Sequence, residues 1–468
     1  MYADGRNYIN DELHEYETLN PENRVMKAIY TACYKGIRAA YAVKHYAPDA
    51  AVDEILRNKR VDEVRVLAAN YYYILVNTFG GVPLMKEYVA NAQTGYPRSS
   101  AADVYDYIIE ELENVIANGA LEKSTARNGG GRASLESARA LLAKTYLAAA
   151  WDLDKKEYFS KASQVADDVI AGRSLVTPFA DLWKADYSGD DNEEFIWDVE
   201  YDYATAANTV SGGHPWSSFY CNHIGGQEDH GKGSTSAFIV TLHALQCFER
   251  GDIRYEVTFM KELPDIITAS NYWYWDWYRN GETFIGTPLK RYYPAWYETE
   301  EDIENWRALD PENRKNTWIL PMSDQTRDPQ EYMPGEIDYE AFVTYSYGGA
   351  PCRKFDDSNT GSYSNKTDYR DIHIITLSEV YLIAAEAYLK AGDEGSALAR
   401  LNEVRRRAQL NSATTIDVDV VLKERVCELF GQGSRWIDLR RTKKLVEAFP
   451  RSPAEQPLSS HEAKDHVS

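Results

Sequence analysis

The 468-residue chain carries 51 Lys and Arg against 73 Asp and Glu, a formal net charge of −22. A surface that negative repels phosphate backbones and anionic headgroups, which excludes nucleic acid and anionic membrane surfaces as expected partners and leaves neutral sugars and peptides open. The five cysteines are widely spread and without metal spacing, so neither a disulfide framework nor a bound metal or cofactor is expected, and no stretch of about 18 apolar residues offers a transmembrane helix.

In chain order, the first clear pattern is RVLAANYYYILVNTFGGVPLM (65–85), where Ala69, Tyr72 and Val76 stand at helical steps of three and four. GRASLESARALLAKTYLAAA (131–150) repeats the step with Ala143, Tyr146 and Ala150. Its return positions would be Ala162 and Val169, which requires a turn about seven residues longer than that of a standard helical repeat, filled by WDLDKKEYFS. EEFIWDVEY (193–201) reads as a strand with Phe195, Trp197 and Val199 on one face. The carboxylates around it, Asp190, Asp191, Glu193, Glu194, Asp198 and Glu200, include pairs of the kind glycoside hydrolysis uses. Among 73 acidic residues such pairs arise by chance.

Two aromatic segments follow. SGGHPWSSFYCNHIGGQEDHGKG (211–233) is a glycine-rich loop that mixes stacking faces with an amide, and Trp216, Tyr220 and Asn222 are its candidate ligand contacts. Its histidines His214, His223 and His230 match no compact metal motif and read as polar surface. Between residues 271 and 298 lie NYWYWDWYRNG and RYYPAWYE. In an extended conformation Trp273, Trp275 and Trp277 would line one face at about 6.6 Å spacing, with Tyr274 and Asp276 on the other. That spacing is near the repeat of a sugar chain, and Asp276 and Arg279 would supply hydrogen bonds, with Trp296 a further platform. The alternative is a hairpin folded onto the body with one row buried.

LSEVYLIAAEAYLKAG (377–392) and ALARLNEVRRRA (397–408) form a tetratricopeptide-like helix pair closed by Gly392, with Leu377, Val380, Tyr381, Ala384, Tyr388 and Ala391 on one face. LKERVCELFGQGSRWIDLRR (422–441) is dense with charge. Glu424, Arg425, Glu428, Arg435, Asp438 and Arg441 read as a structural ion-pair lattice with Trp436 and Leu439 wedged beneath.

These pieces, in this order, resemble the SusD/RagB family of outer-membrane nutrient-binding lipoproteins of Bacteroidetes-type bacteria. The resemblance rests on ANYYYILVNTFGGVPLM, YPRSSAADVYDYIIEELENVI (96–116), the 131–150 helix, FERGDIRYEVTF (248–259), the helix pair and, most specifically, the 422–441 block, and covers roughly residues 60–445. Together with the helical periods it implies a mainly α fold. A TPR-like array, built from residues 1–180 and 371–449, would frame a loop-rich, aromatic second layer with short strands at 181–370. The resemblance further implies a lipid-anchored surface protein of the outer membrane. It would bind an oligosaccharide or polysaccharide without catalysis and pass it to a TonB-dependent, SusC-like barrel docked on the helical frame. The family's ligand contacts vary from member to member, so the residues named above rest on local pattern alone.

Two features depart from the family. Gln432 stands where an acidic residue is usual, and RSPAEQPLSSHEAKDHVS (451–468) lacks the apolar period of the family's terminal segment. Residues 450–468 are therefore read as a disordered or altered tail. The opening MYADGRNYINDELHEY shows no export leader or lipidation cysteine. The competing readings are a TPR-type protein-interaction scaffold and a helical glycoside hydrolase.

Overall fold

The computed structural model describes residues 2–3, 20–91, 94–123, 131–184, 186–201, 213–220, 238–264, 285–286, 288–319, 350, 352–355 and 368–445. Five long helices open the frame: α1 (Arg24–Tyr46), α2 (Glu54–Phe79), α3 (Ala101–Asn118), α4 (Leu135–Asp152) and α5 (Glu157–Ile170). Local chemistry sets several of their starts. The Asn23 side chain accepts from the Val25 and Met26 amides, Asp53 accepts from Leu56, and Ser100 with Asp103 and Ser134 with Ser137 form reciprocal capping boxes. Each helix packs on the next. At the first crossing Gly36 is required, since a Cβ there would lie 2.3 Å from the Tyr71 ring.

The α4–α5 junction corrects the expected long turn. Trp151 and Asp152 extend α4, Glu157 to Ser160 begin α5, and only residues 153–156 separate the helices. The extra length is absorbed as helix, and Ala162 and Val169 are buried as return positions.

The chain then leaves the frame as a second layer. Its elements are α6 (Phe179–Leu182), β2 (Phe195–Val199), α7 (Trp216–Tyr220), α8 (Leu242–Cys247), α9 (Ile253–Thr258), α10 (Glu300–Leu309) and α11 (Pro311–Arg314), with three short strands, β4 (Glu262–Pro264), β5 (Leu289–Tyr292) and β6 (Trp318–Ile319), in one sheet. A further short pair joins β1 (Tyr2–Ala3) to β3 (Phe238–Ile239). β2 pairs antiparallel with β7 (Ile372–Thr376), which leads the chain back into the frame. The expected strand at 193–201 is present, but its faces differ from simple alternation. Irregular register between Phe195 and Asp198 buries Ile196 beside Phe195 and Trp197 and leaves Val199 exposed.

The returning helix α12 (Leu377–Ala391) packs against α5, α13 (Glu394–Arg407) and α14 (Val418–Glu428), and a last helix, α15 (Arg435–Arg441), follows. Gly392 ends α12 at φ 91°, a left-handed turn that glycine adopts without Cβ strain. The predicted pair is thus present, yet α12 is more deeply set than a one-face helix, with every residue from Leu377 to Ala387 buried.

Two of those residues are acidic, and the 422–441 block neutralises them. Arg425 bonds Asp438 at 2.8 Å and Glu379 at 3.2 Å, and Lys144 reaches Glu379 at 2.9 Å. Arg441 pairs with Glu386 and with Asp438 at 3.0 Å. A second group centres on fully buried Arg254, which meets Asp252 at 2.7 Å, Glu424 at 2.7 Å and Glu428 at 3.2 Å. Arg407 links Glu428 to Glu194 of the second layer. The lattice reading holds with two corrections. Arg435 donates to the Leu422 carbonyl at 3.0 Å, and Trp436 is only half-buried beside buried Leu439. Removing one partner of a buried pair strands the other charge and costs roughly 3–5 kcal/mol. Urea unfolding of Arg441→Met should therefore show a loss of that size, and Arg435→Met a loss of about 1 kcal/mol.

Candidate functional site

A cleft opens where the second layer meets the frame. β2 supplies Trp197 and Asp198, the turn before it Asp190, the start of β7 Asp371, and the frame Glu136 and Arg173, with Glu200 at the rim. Trp197 is held by donation from its indole N–H to the Gly131 carbonyl at 3.3 Å. Arg173 is occupied by Glu136. Asp190 takes Arg370 on one oxygen at 2.8 Å and the Asp371 amide on the other at 3.1 Å.

Two of the other carboxylates, Asp371 and Asp198, are protonated unusually easily. Burial, then repulsion from Asp190, Asp198 and Glu200, pushes Asp371 up to about 7, although its hydrogen bond from the Tyr201 amide opposes the shift. Burial likewise raises Asp198, whose Oδ1 lies 2.6 Å from His373 Nδ1. Burial lowers His373 to about 3, so the pair is a hydrogen bond of a neutral imidazole and not an ion pair at neutral pH. A carboxyl whose folded pKa exceeds its unfolded value keeps a proton that the unfolded chain has lost. Stability therefore falls as pH rises from about 4 to about 7. Asp371→Asn keeps the acceptor for Tyr201 and removes this titration. Its melting temperature should exceed that of the parent at pH 7.5 and lose the advantage at pH 4.

A row of rings leads away from the cleft. The Tyr201 ring lies 4.8 Å from His214, which lies 6.3 Å from Trp216. His214 Nδ1 accepts the Trp216 amide at 3.2 Å, so its Nε2 donates to the Arg370 carbonyl at 2.9 Å. Paired main-chain bonds between His214 and Asp368 fix the same segment beside β7. His214, expected as polar surface, is thus a half-buried joint between distant segments.

The structure separates the sequence-derived candidates. Trp216 is half-buried at the end of the row. Tyr220 is a correction: it is 5% exposed within the second layer's core, and its hydroxyl donates to the Gly431 carbonyl at 3.0 Å. Trp296 is 43% exposed while its indole N–H donates to the Phe248 carbonyl at 2.8 Å, which pins one edge and leaves ring surface open. Beside it Arg250 stacks on Tyr297 and pairs with Asp302 at 2.9 Å. Trp273, Tyr274, Trp275, Asp276, Trp277, Arg279 and Asn222 lie outside the described residues. Tyr201, His214 and Asp371 were not picked out because only long-range pairing assembles them, although Tyr201 closes EEFIWDVEY and His214 lies two residues before Trp216. The one available signal was the run of acids flanking EEFIWDVEY. Among the described residues no group of three or more His, Cys, Asp or Glu is arranged to hold a metal, and no helix is long and apolar enough to cross a membrane.

The model of the SusD family matches residues 193–462, more than half of the chain. The chain belongs to the SusD family. A second model, described as starch-binding associating with outer membrane, matches residues 4–147. These matches reach beyond both ends of the 60–445 resemblance, through residue 462 of the tail that was read as altered.

A SusD-like protein of Bacteroides ovatus is 24% identical over 417 residues, 83% of this SusD-family chain and 60% of the relative. SusD-like protein P38 of Formosa agariphila is 26% identical over 33% of this chain and 35% of its own length. The chain thus spans no more than about 60% of the curated relatives it matches. Among solved structures, a SusD superfamily protein of Parabacteroides distasonis aligns with a TM-score of 0.66 at 17% identity, covering 94% of this chain and 80% of that one. Surface glycan-binding protein A of Bacteroides uniformis aligns with a TM-score of 0.62 at 21% identity, over 90% and 74%. The protein of the same name from Bacteroides thetaiotaomicron, solved with laminarihexaose, aligns at 0.60 and 19% identity, over 89% and 76%. At these identities the likeness establishes the shared helical fold.

Proposed function

We propose that this SusD-family protein captures a neutral glycan chain at the outer cell surface and passes it to a TonB-dependent, SusC-like barrel, binding the chain without cleaving it. The observation that carries the reading is the pairing of a carboxylate-lined cleft with the adjoining row Tyr201, His214 and Trp216. Sugar hydroxyls donate to carboxylates, and the apolar C–H face of a pyranose packs on aromatic rings, whose faces carry negative charge density. Solved structures of similar fold with bound oligosaccharide, including the laminarihexaose complex, support a glycan as the ligand class. The second family description supports association with the outer membrane, and the lipid anchor and barrel partner extend that reading.

Trp296 and the tryptophans Trp273, Trp275 and Trp277 provide further platforms in this proposal, with Tyr274, Asp276, Arg279 and Asn222 as hydrogen-bonding neighbours. Affinity electrophoresis through gels containing plant, host and microbial polysaccharides tests it. One neutral glycan should retard the protein, and Trp216→Ala and Trp296→Ala, checked for unchanged helical spectra, should each weaken binding about ten-fold, as expected for loss of one well-covered ring. Retardation by no glycan would overturn the reading, and release of shorter oligosaccharides would replace a binder with an enzyme.

A further inference from the structure

Behind the cleft lies a second, smaller void, walled by Trp183 and Phe195 of the second layer and by Thr376, Ser378, Glu428 and Gln432 of the frame. Two residues of its wall each carry a buried polar side-chain atom without a hydrogen-bond partner among the described residues. Trp183 is 8% exposed and its Nε1–H donates to no group, and the buried Oε1 of Gln432 accepts from none. The other polar groups around the void are already engaged. Glu194 accepts the Thr177 amide and Arg407, Glu428 holds Arg254 and Arg407, and the Thr376 and Ser378 hydroxyls lie 3.0 Å apart.

An unmet donor and an unmet acceptor around one void is an unstable arrangement in a dry protein, because each forfeits a hydrogen bond it had in water. Trp183 cannot easily turn away. Its ring is fixed by edge contacts with Phe195 and Phe355 at 5.8 and 5.7 Å and by the buried Lys354 ammonium 4.3 Å from its centre. The Lys354 ammonium is itself held by the carbonyls of Glu428 and Phe430 at 2.9 and 3.2 Å, just ahead of Gln432 in the chain. The void is narrow, with room for about one water molecule, and its polar wall distinguishes it from the apolar cavities that stay empty.

We infer that this void is a binding site for one ordered water molecule, which accepts from Trp183 Nε1–H and donates to Gln432 Oε1 and so joins the second layer to the turn between α14 and α15. The ligand class follows from the wall: it must be neutral, no larger than water, and able to accept and donate at once. A cation is disfavoured by the indole N–H, and an anion by Gln432 Oε1 and Glu428.

A crystal structure of the full chain at better than about 1.8 Å, read together with a double-mutant cycle, tests the inference. The expected result is an isolated density peak about 2.7–3.2 Å from both Trp183 Nε1 and Gln432 Oε1. In urea unfolding, Trp183→Phe and Gln432→Met should each lower the midpoint, and the double variant should be little worse than the weaker single one, since either change already breaks the bridge. A dry void, or a direct Trp183–Gln432 hydrogen bond, overturns the inference. So do fully additive losses in the cycle. Should Trp183→Phe fail to fold, Gln432→Met alone decides the matter, because its crystals must then lack the peak that the parent shows.

Discussion

A helix can be buried on every side only if its charged side chains meet partners before they meet water, and α12 satisfies that condition through Arg425 and Arg441. Glu379 and Glu386 project from a helix whose first eleven residues are all buried. Left alone, two buried carboxylates would neutralise themselves or expel the helix. The arginines that meet them come from α14 and α15, the last described helices, so the middle of the frame is neutralised only with the C-terminal block in place. Lys144 adds a third contact from α4, which ties both halves of the frame to the same residue.

The same chemistry extends outward. Arg407 of α13 and Arg254 of the second layer meet on Glu428, and Arg407 continues to Glu194 immediately before β2. Electrostatic pairing therefore runs from the frame to the base of the cleft, where Arg370 takes over by gripping Asp190. Positive side chains are consumed in building the body. The carboxylates left at the cleft, Asp198, Glu200 and Asp371 among them, line its wall, a division that bulk charge alone does not reveal.

How much of this was legible in the chain depended on range. The α12–α13 pair, the strand before Tyr201 and the ion-pair character of 422–441 rest on spacing within a few residues, and each is present. The α4–α5 turn was misjudged because Trp151 to Ser160 are compatible with either helix or loop, and packing of Ala162 and Val169 decided for helix. Tyr220 and Trp296 look alike as loop aromatics. One is drawn into a core by the Gly431 carbonyl and the other is left at the surface, a difference set by partners 211 and 48 residues away. His214 and Asp371 share that obscurity, since their partners arrive only when β7 returns beside β2.

That return has a topological meaning. The excursion from α5 to α12 begins and ends on touching helices, and the β2–β7 pair draws its two arms together before the frame resumes. Once such a clasp is closed, lengthening the chain inside it is cheap, about 0.6 kcal/mol for each doubling of a flexible loop. Lengthening of loops within the excursion therefore leaves the helical frame undisturbed so long as Glu194 and Arg254, which pair with Arg407, Glu424 and Glu428, are kept.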